Sequence, residues 1–189
     1  MILYLHGFRS APASHKATLL ADALTARGLA HQWLCPQLPA SPRAAIELCL
    51  ELAAPHTKLT LIGSSLGGYY ATWLAEQLGC RAVLLNPAVR AADKLASQVG
   101  EHAMYHSAEP FVFLPEYLEE LAALQVPQIT RPERYFLVAA TGDEVLDWRE
   151  MRDYYSGAAQ LIIEGSDHGI SDFSRWMPQV LAFAGLNDT

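Results

Sequence analysis

The stretch LTLIGSSLGGYYATWLAEQLG, residues 59–79, decides how the rest of the chain is read. An apolar run, Leu59 to Ile62, ends in Gly63-Ser64-Ser65-Leu66-Gly67 and leaves as an amphipathic helix. One glycine suffices for a strand-to-helix turn, yet this one has Gly63, Gly67 and Gly68 around two serines. A serine on such a turn takes strained backbone angles, and its Oγ stands clear of the sheet. The residues two before and two after it lie against each other, so both must be small. Gly63 and Gly67 meet that need for Ser65; Ser64 is the local rival but is not centred between them. The turn also puts the Leu66 N–H at a helix start, where unpaired donors and the helix dipole favour negative charge. An acyl-transfer oxyanion forms at such a place. The pattern GxSxG alone arises by chance in about one chain in fifteen of this length. The strand before it and the helix after it carry the inference; without them Ser65 is an inert serine in a tight turn.

Outward from this segment, short apolar runs alternate with amphipathic ones. Residues 2–7, 30–35, 58–63, 81–86, 134–141 and 159–165 read as six strands. Residues 14–28, 41–55, 66–79, 148–156 and 171–185 read as helices, with Ser14 and Ser41 as caps and Pro178 kinking or breaking the last one. Continuous apolar strands between helices predict an α/β three-layer sandwich with a mostly parallel sheet. The 189 residues suit one domain with a full core. Residues 87–133 break the alternation. Two helical patches, about 91–98 and 115–124, flank an aromatic, irregular middle from Tyr105 to Phe113. A segment this long between two strands is expected to fold over the strand ends as a small helical cap.

In parallel sheets, ligands bind beyond the carboxyl ends of the strands. Those ends here are His6-Gly7-Phe8, Ser64-Ser65-Leu66, Asn86-Pro87, Thr141-Gly142-Asp143 and Gly165-Ser166-Asp167-His168. A serine needs a base to become a nucleophile, and His168 is the best placed. His15, His31 and His56 fall in or beside helices and strands away from that edge, and His102 and His106 lie in the cap. The imidazole needs a carboxylate to fix its tautomer. Asp143 is the first choice, and Asp147, which also suits the cap of the next helix, is the alternative. Glu144 is expected to point elsewhere, and Asp167 is too close in sequence to fold back onto the ring. The chain order Ser65, Asp143, His168 is that of α/β-hydrolases. The second oxyanion donor is expected at the Phe8 N–H, with Leu66 supplying the first. His6, Arg9, Tyr105, Phe111 and Phe113 are expected at the substrate pocket, the aromatics favouring an apolar acyl chain or only packing the cap onto the sheet.

Together, YLHGF, LIGSSLGGYYATWLA, NPAV, TGDEVLD and EGSDHGISDF resemble the α/β-hydrolase superfamily, and in particular the short bacterial esterases of the YqiA/YcfP type. The resemblance runs from Met1 to about Phe183. It implies a larger hydrolase fold that has lost its first strands. It also implies a cytoplasmic esterase or thioesterase acting on acyl esters or acyl-CoA, with Ser65 as nucleophile, Asp143 as acid and His168 as base. One departure is Ile170, where many hydrolases have an aromatic residue two after the histidine; Phe173 lies further on.

Other classes are disfavoured. The net charge is −7 with no Lys/Arg cluster, which weighs against nucleic acid and anionic membranes as partners. No apolar run reaches the roughly 20 residues that span a bilayer, and Met1 to Phe8 has no basic leader and reads as a strand. Cys35, Cys49 and Cys80 form no CxxC and are expected as free thiols in a reducing cytoplasm. No metal-ligand spacing is present, so no metal or cofactor is expected, and the partner is a small acyl ester or thioester. A non-turnover ligand-binding or signalling module, and a peptidase or acyltransferase on the same residues, remain the alternatives.

Overall fold

The computed structural model describes residues 1–105 and 110–186. In chain order the elements are β1 (Ile2–Leu5), α1 (His15–Ala26), β2 (Trp33–Leu34), α2 (Pro42–Ala53), β3 (Thr60–Ser64), α3 (Leu66–Leu78) and β4 (Arg81–Leu85). Then come α4 (Ala91–Leu95), β5 (Gly100–Ala103), β6 (Pro110–Phe113), α5 (Glu116–Ala123), β7 (Tyr135–Ala140), α6 (Trp148–Tyr154), β8 (Ala159–Ile163) and α7 (Met177–Phe183). Six strands form one sheet in the order β2-β1-β3-β4-β7-β8, with every pair parallel.

Both faces of the sheet are covered, which is why its central strands read as unbroken apolar runs. Side chains alternate between the faces with period two. Leu3, Leu5, Leu61, Leu84 and Leu137 pack with residues of α2, α3 and α6. Ile2, Tyr4, Ile62, Val83 and Phe136 pack with residues of α1 and α7. Helix α2 starts as its sequence dictates: the Ser41 hydroxyl accepts the Ala44 N–H at 3.2 Å and Pro42 occupies the first turn. Helix α3 ends at Gly79, whose φ of 67° suits a residue without a Cβ.

Four readings are corrected. Strand β2 is only Trp33–Leu34, preceded by a 3₁₀ turn at Ala30–Gln32, because only those two residues pair with β1. Residues 171–185 are not one helix: a 3₁₀ turn at Phe173–Arg175 precedes α7, and Pro178 sits in the first turn of α7, where its missing N–H costs nothing. Ser14 precedes α1, but its hydroxyl makes no capping bond. Within the middle of the 87–133 segment, Pro110–Phe113 is a strand, β6, that pairs antiparallel with β5, Gly100 opposite Phe113, while residues 106–109 lie outside the described residues.

That hairpin packs inward. Phe8 meets Phe111 and Phe113 edge to face at centroid distances of 5.0 and 5.2 Å. Helix α5 is tied to the main layers by Tyr69 Oη donating to the Leu121 carbonyl at 2.7 Å and by Ser41 Oγ donating to Glu120 at 2.7 Å. His106 lies outside the described residues. Among those residues, no helix is long and apolar enough to cross a membrane.

Candidate active site

Ser65 joins β3 to α3 with φ 55° and ψ −120°, a left-handed conformation that costs a non-glycine residue about 1–3 kcal/mol. Packing enforces it. The Ser65 N–H donates to Leu85 O at 3.0 Å, and its carbonyl accepts the N–H groups of Gly68 at 2.9 Å and Ala88 at 3.0 Å. Each glycine has its own reason. A Cβ on Gly63 would come within 2.6 Å of the Gly67 carbonyl carbon, so these two do lie against each other. A Cβ on Gly67 would lie 2.7 Å from His6 O, against the end of β1, and one on Gly68 would lie 2.6 Å from Pro87 Cβ. Gly67→Ala is therefore expected to destabilise the fold by about 3 kcal/mol or more, since backbone atoms cannot yield. A urea midpoint within error of wild type would contradict this.

Three loops converge on Ser65. His168, after β8, has Nε2 3.0 Å from Ser65 Oγ. Its Nδ1 lies 2.8 Å from Asp143 Oδ2, after β7. The Asp143 side chain is fully buried and that of His168 is 21% exposed. The other Asp143 oxygen, Oδ1, accepts the N–H groups of Val145 and Leu146, both at 2.8 Å. Asp147 instead caps α6 by accepting the Arg149 N–H at 2.9 Å. The third loop follows β1. A Cβ on Gly7 would lie 3.7 Å from Ser65 Oγ, so the Gly7-Phe8 backbone passes directly beside the serine.

A cleft of about 550 Å³ opens here. Phe8, Arg9, Ser10, Ser14, His15 and Lys16 line it from the loop after β1 and the start of α1. Leu66, Ala88, Ala91, Leu95, Val145 and Leu146 give it apolar surface. Tyr105, 66% exposed, stands at the cleft. Arg9 lies 4.7 Å over the Tyr105 ring and donates from Nε to Ala103 O at 2.8 Å, which joins the loop after β1 to the hairpin.

Of the expected pocket residues, Arg9 and Tyr105 line the cleft, while His6, Phe111 and Phe113 do not. His6 is buried; its Nε2 accepts the Leu38 N–H at 3.0 Å and its Nδ1 lies 3.0 Å from Gly7 O, so the ring fixes the loop. Phe111 and Phe113 are engaged with Phe8 instead. His15, read as remote, lies on the cleft because α1 begins there. Glu144 does not meet the imidazole; its carboxylate accepts the His168 backbone N–H at 2.9 Å. Sequence reading also missed the task of Asn86, fully buried at the end of β4. Its Nδ2 donates to the carbonyls of Asp167 at 3.1 Å and His168 at 3.0 Å, and its Oδ1 accepts the Ala140 N–H at 2.8 Å. A polar residue ending the apolar run 82–85 and followed by Pro87 was the available signal.

The cysteines stand apart from this chemistry. Burial pushes the Cys35 and Cys49 thiols up to about 12 and Cys80 to about 11. Among the described residues, no group of three or more His, Cys, Asp or Glu could hold a metal ion.

A parallel sheet carrying a strained serine elbow on its third strand is the α/β-hydrolase fold. Within it, the chain belongs to the family described as Uncharacterised protein family (UPF0227), whose model matches residues 1–185. Solved structures share the fold at low identity. Mouse alpha/beta hydrolase domain-containing protein 10 is 14% identical with a TM-score of 0.71, over 96% of this chain and 89% of its own. Est1E from Butyrivibrio proteoclasticus, solved with ferulic acid, is 11% identical with a TM-score of 0.69, over 95% of this chain and 85% of its own. The esterase Pf2001 of Pyrococcus furiosus is 15% identical with a TM-score of 0.64, over 97% of this chain and 81% of its own.

Proposed function

We propose that the protein is a serine hydrolase that cleaves a carboxylic ester or thioester through an acyl-Ser65 intermediate. The unbroken hydrogen-bonded series from Ser65 Oγ through His168 to Asp143 carries this reading. Ser65 Oγ attacks the acyl carbon, and its proton passes to His168 Nε2. Asp143 holds the Nδ1–H and stabilises the imidazolium. The oxyanion forms against the N–H groups of Phe8 and Leu66; the latter opens α3, where helix N–H groups lack intrahelical partners. The C–O or C–S bond then breaks, and His168 returns the proton to the leaving group. Water repeats the sequence on the acyl-enzyme: its proton goes to His168, the acid departs, and Ser65 recovers its hydrogen. Supporting context comes from solved structures of this fold that carry the names hydrolase and esterase.

The test is intact-mass analysis after exposure to a fluorophosphonate, followed by turnover of p-nitrophenyl esters and acyl-CoA thioesters. One adduct per chain and multiple turnovers are expected. An adduct that forms without ester turnover would favour the binding-module reading, and no adduct would remove the nucleophile.

Acyl length gives a second expectation. Leu66, Ala88, Ala91, Leu95 and Leu146 offer an apolar surface to the acyl chain. Each buried CH₂ contributes about 0.8 kcal/mol. Butyryl esters are therefore expected to exceed acetyl esters in kcat/KM by about tenfold. A preference for acetyl would assign the apolar side to something else.

A further inference from the structure

Lys16 is a charged, buried part of the cleft wall to which the proposed reaction gives no task. It lies in the first turn of α1 and is 8% exposed. Its Nζ donates to the Gly169 carbonyl at 2.5 Å, bridging 153 positions of sequence. An ammonium so placed loses its hydration. Burial pulls its pKa down to about 8, while the carboxylates of Asp167 and Asp143 act in the opposite direction. The folded value is below the unfolded one, so this group opposes folding fully below pH 8. That cost fades as pH rises from about 8 toward the ordinary 10.5. A lysine whose charge opposes folding at neutral pH calls for a role besides stability.

What it holds is a strained loop. Gly165, Ser166 and Ile170 all have positive φ, at 71°, 58° and 49°. Such backbone persists only where its surroundings over-determine it. Glu144 takes the His168 N–H, Asn86 takes the Asp167 and His168 carbonyls, and Lys16 takes the next carbonyl, that of Gly169. Three side chains, exposed Glu144 and buried Asn86 and Lys16, thus grip consecutive peptides on either side of the base. Of these three, Lys16 is the one that reaches the loop from α1.

We infer that Lys16 is a positioning residue for the base: its ammonium fixes the peptide following His168, so that Nε2 stays aimed at Ser65 Oγ. This rests on the serine-hydrolase reading above. It makes Lys16 part of the machinery through His168, without contact with the acyl group.

The experiment compares wild type with Lys16→Met, which keeps the stem and removes the donor. Two rates are read: phosphonylation of Ser65 by a small neutral fluorophosphonate, and kcat with KM on p-nitrophenyl butyrate. The same kinetics are run on a butyrate ester whose leaving group carries a sulfonate. A base displaced by about 1 Å loses on the order of 100-fold. Lys16→Met is therefore expected to slow phosphonylation and lower kcat on both esters by about 10- to 100-fold. KM should change by less than about threefold, and the melting temperature at pH 7 should equal or exceed that of wild type. Lys16→Gln, which is too short to reach Gly169, serves the same comparison if the methionine variant does not fold. Phosphonylation and kcat within about twofold of wild type would overturn the inference. So would a loss confined to KM for the sulfonated ester, which would make Lys16 a reader of substrate charge. Failure of wild-type protein to label would instead remove the serine-hydrolase reading itself, and the inference with it.

Discussion

Ser65→Ala is expected to lower kcat for ester hydrolysis by about 10⁶-fold while leaving the fold intact. The size follows from what is removed. Without Oγ there is no covalent intermediate, and His168 has no nucleophile to deprotonate. The cleft and the oxyanion donors remain, and these sustain only about 10³–10⁴-fold catalysis over water. The fold should survive because alanine keeps the Cβ and the same backbone preference. The strain at φ 55° is held by backbone hydrogen bonds that the substitution does not touch. The one side-chain bond lost is that to His168 Nε2, which places the stability change within about 1.5 kcal/mol. The measurement is steady-state turnover on p-nitrophenyl butyrate, with a urea unfolding curve on the same sample. A variant retaining a tenth of wild-type activity would move the nucleophile, and Ser64, which also lines the cleft, would be examined next.

Much of this site was legible before folding was considered, for a physical reason. A central parallel strand is buried on both faces, so it announces itself as a continuous apolar run, and its end announces the site. The residues needed for acyl transfer then follow from chemistry, because serine, histidine and carboxylate are the side chains that can do it. The hidden part is what holds those residues in place. Glu144, Asn86 and Lys16 act on backbone groups of the His168 loop, and a backbone carbonyl leaves no mark in the sequence. Lys16 did leave one trace. With Leu20 and Leu24 it stands at i, i+4 and i+8 of α1, on the buried stripe, where a lysine is out of pattern. The aromatics of this segment were legible as a pair of alternatives. Phe111 and Phe113 are placed at the pocket by sequence, with packing alone as the alternative, and the structure takes the alternative: Phe8 needs apolar partners of its own, and the hairpin supplies them. Pairing of β5 with β6 was not foreseen because no tight-turn dipeptide marks it.

The carboxylate assignment gives the second large effect. Asp143→Asn is expected to lower kcat by about 10⁴-fold, and Asp147→Asn to leave it within about twofold. Both substitutions replace one oxygen by NH₂ at nearly the same volume, so their difference isolates hydrogen-bond direction. At Asp143, Oδ1 accepts two backbone N–H groups at 2.8 Å each. An asparagine must keep its oxygen there, because an NH₂ would face two donors. Its NH₂ is then turned toward His168 Nδ1, where the carboxylate now sits at 2.8 Å. The imidazole can accept from that NH₂ only with its proton on Nε2. A protonated Nε2 faces Ser65 Oγ as a donor and cannot take its proton. The geometry survives while the tautomer inverts. Asp147 has no such task, since Asn caps a helix about as well as Asp, and its Oδ1 needs only to accept the Arg149 N–H. Stability of that variant should stay within about 0.5 kcal/mol. Parallel kinetics on the two variants decide the matter. The reverse ranking would transfer the acid to Asp147 and require the loop after β7 to rearrange when substrate binds.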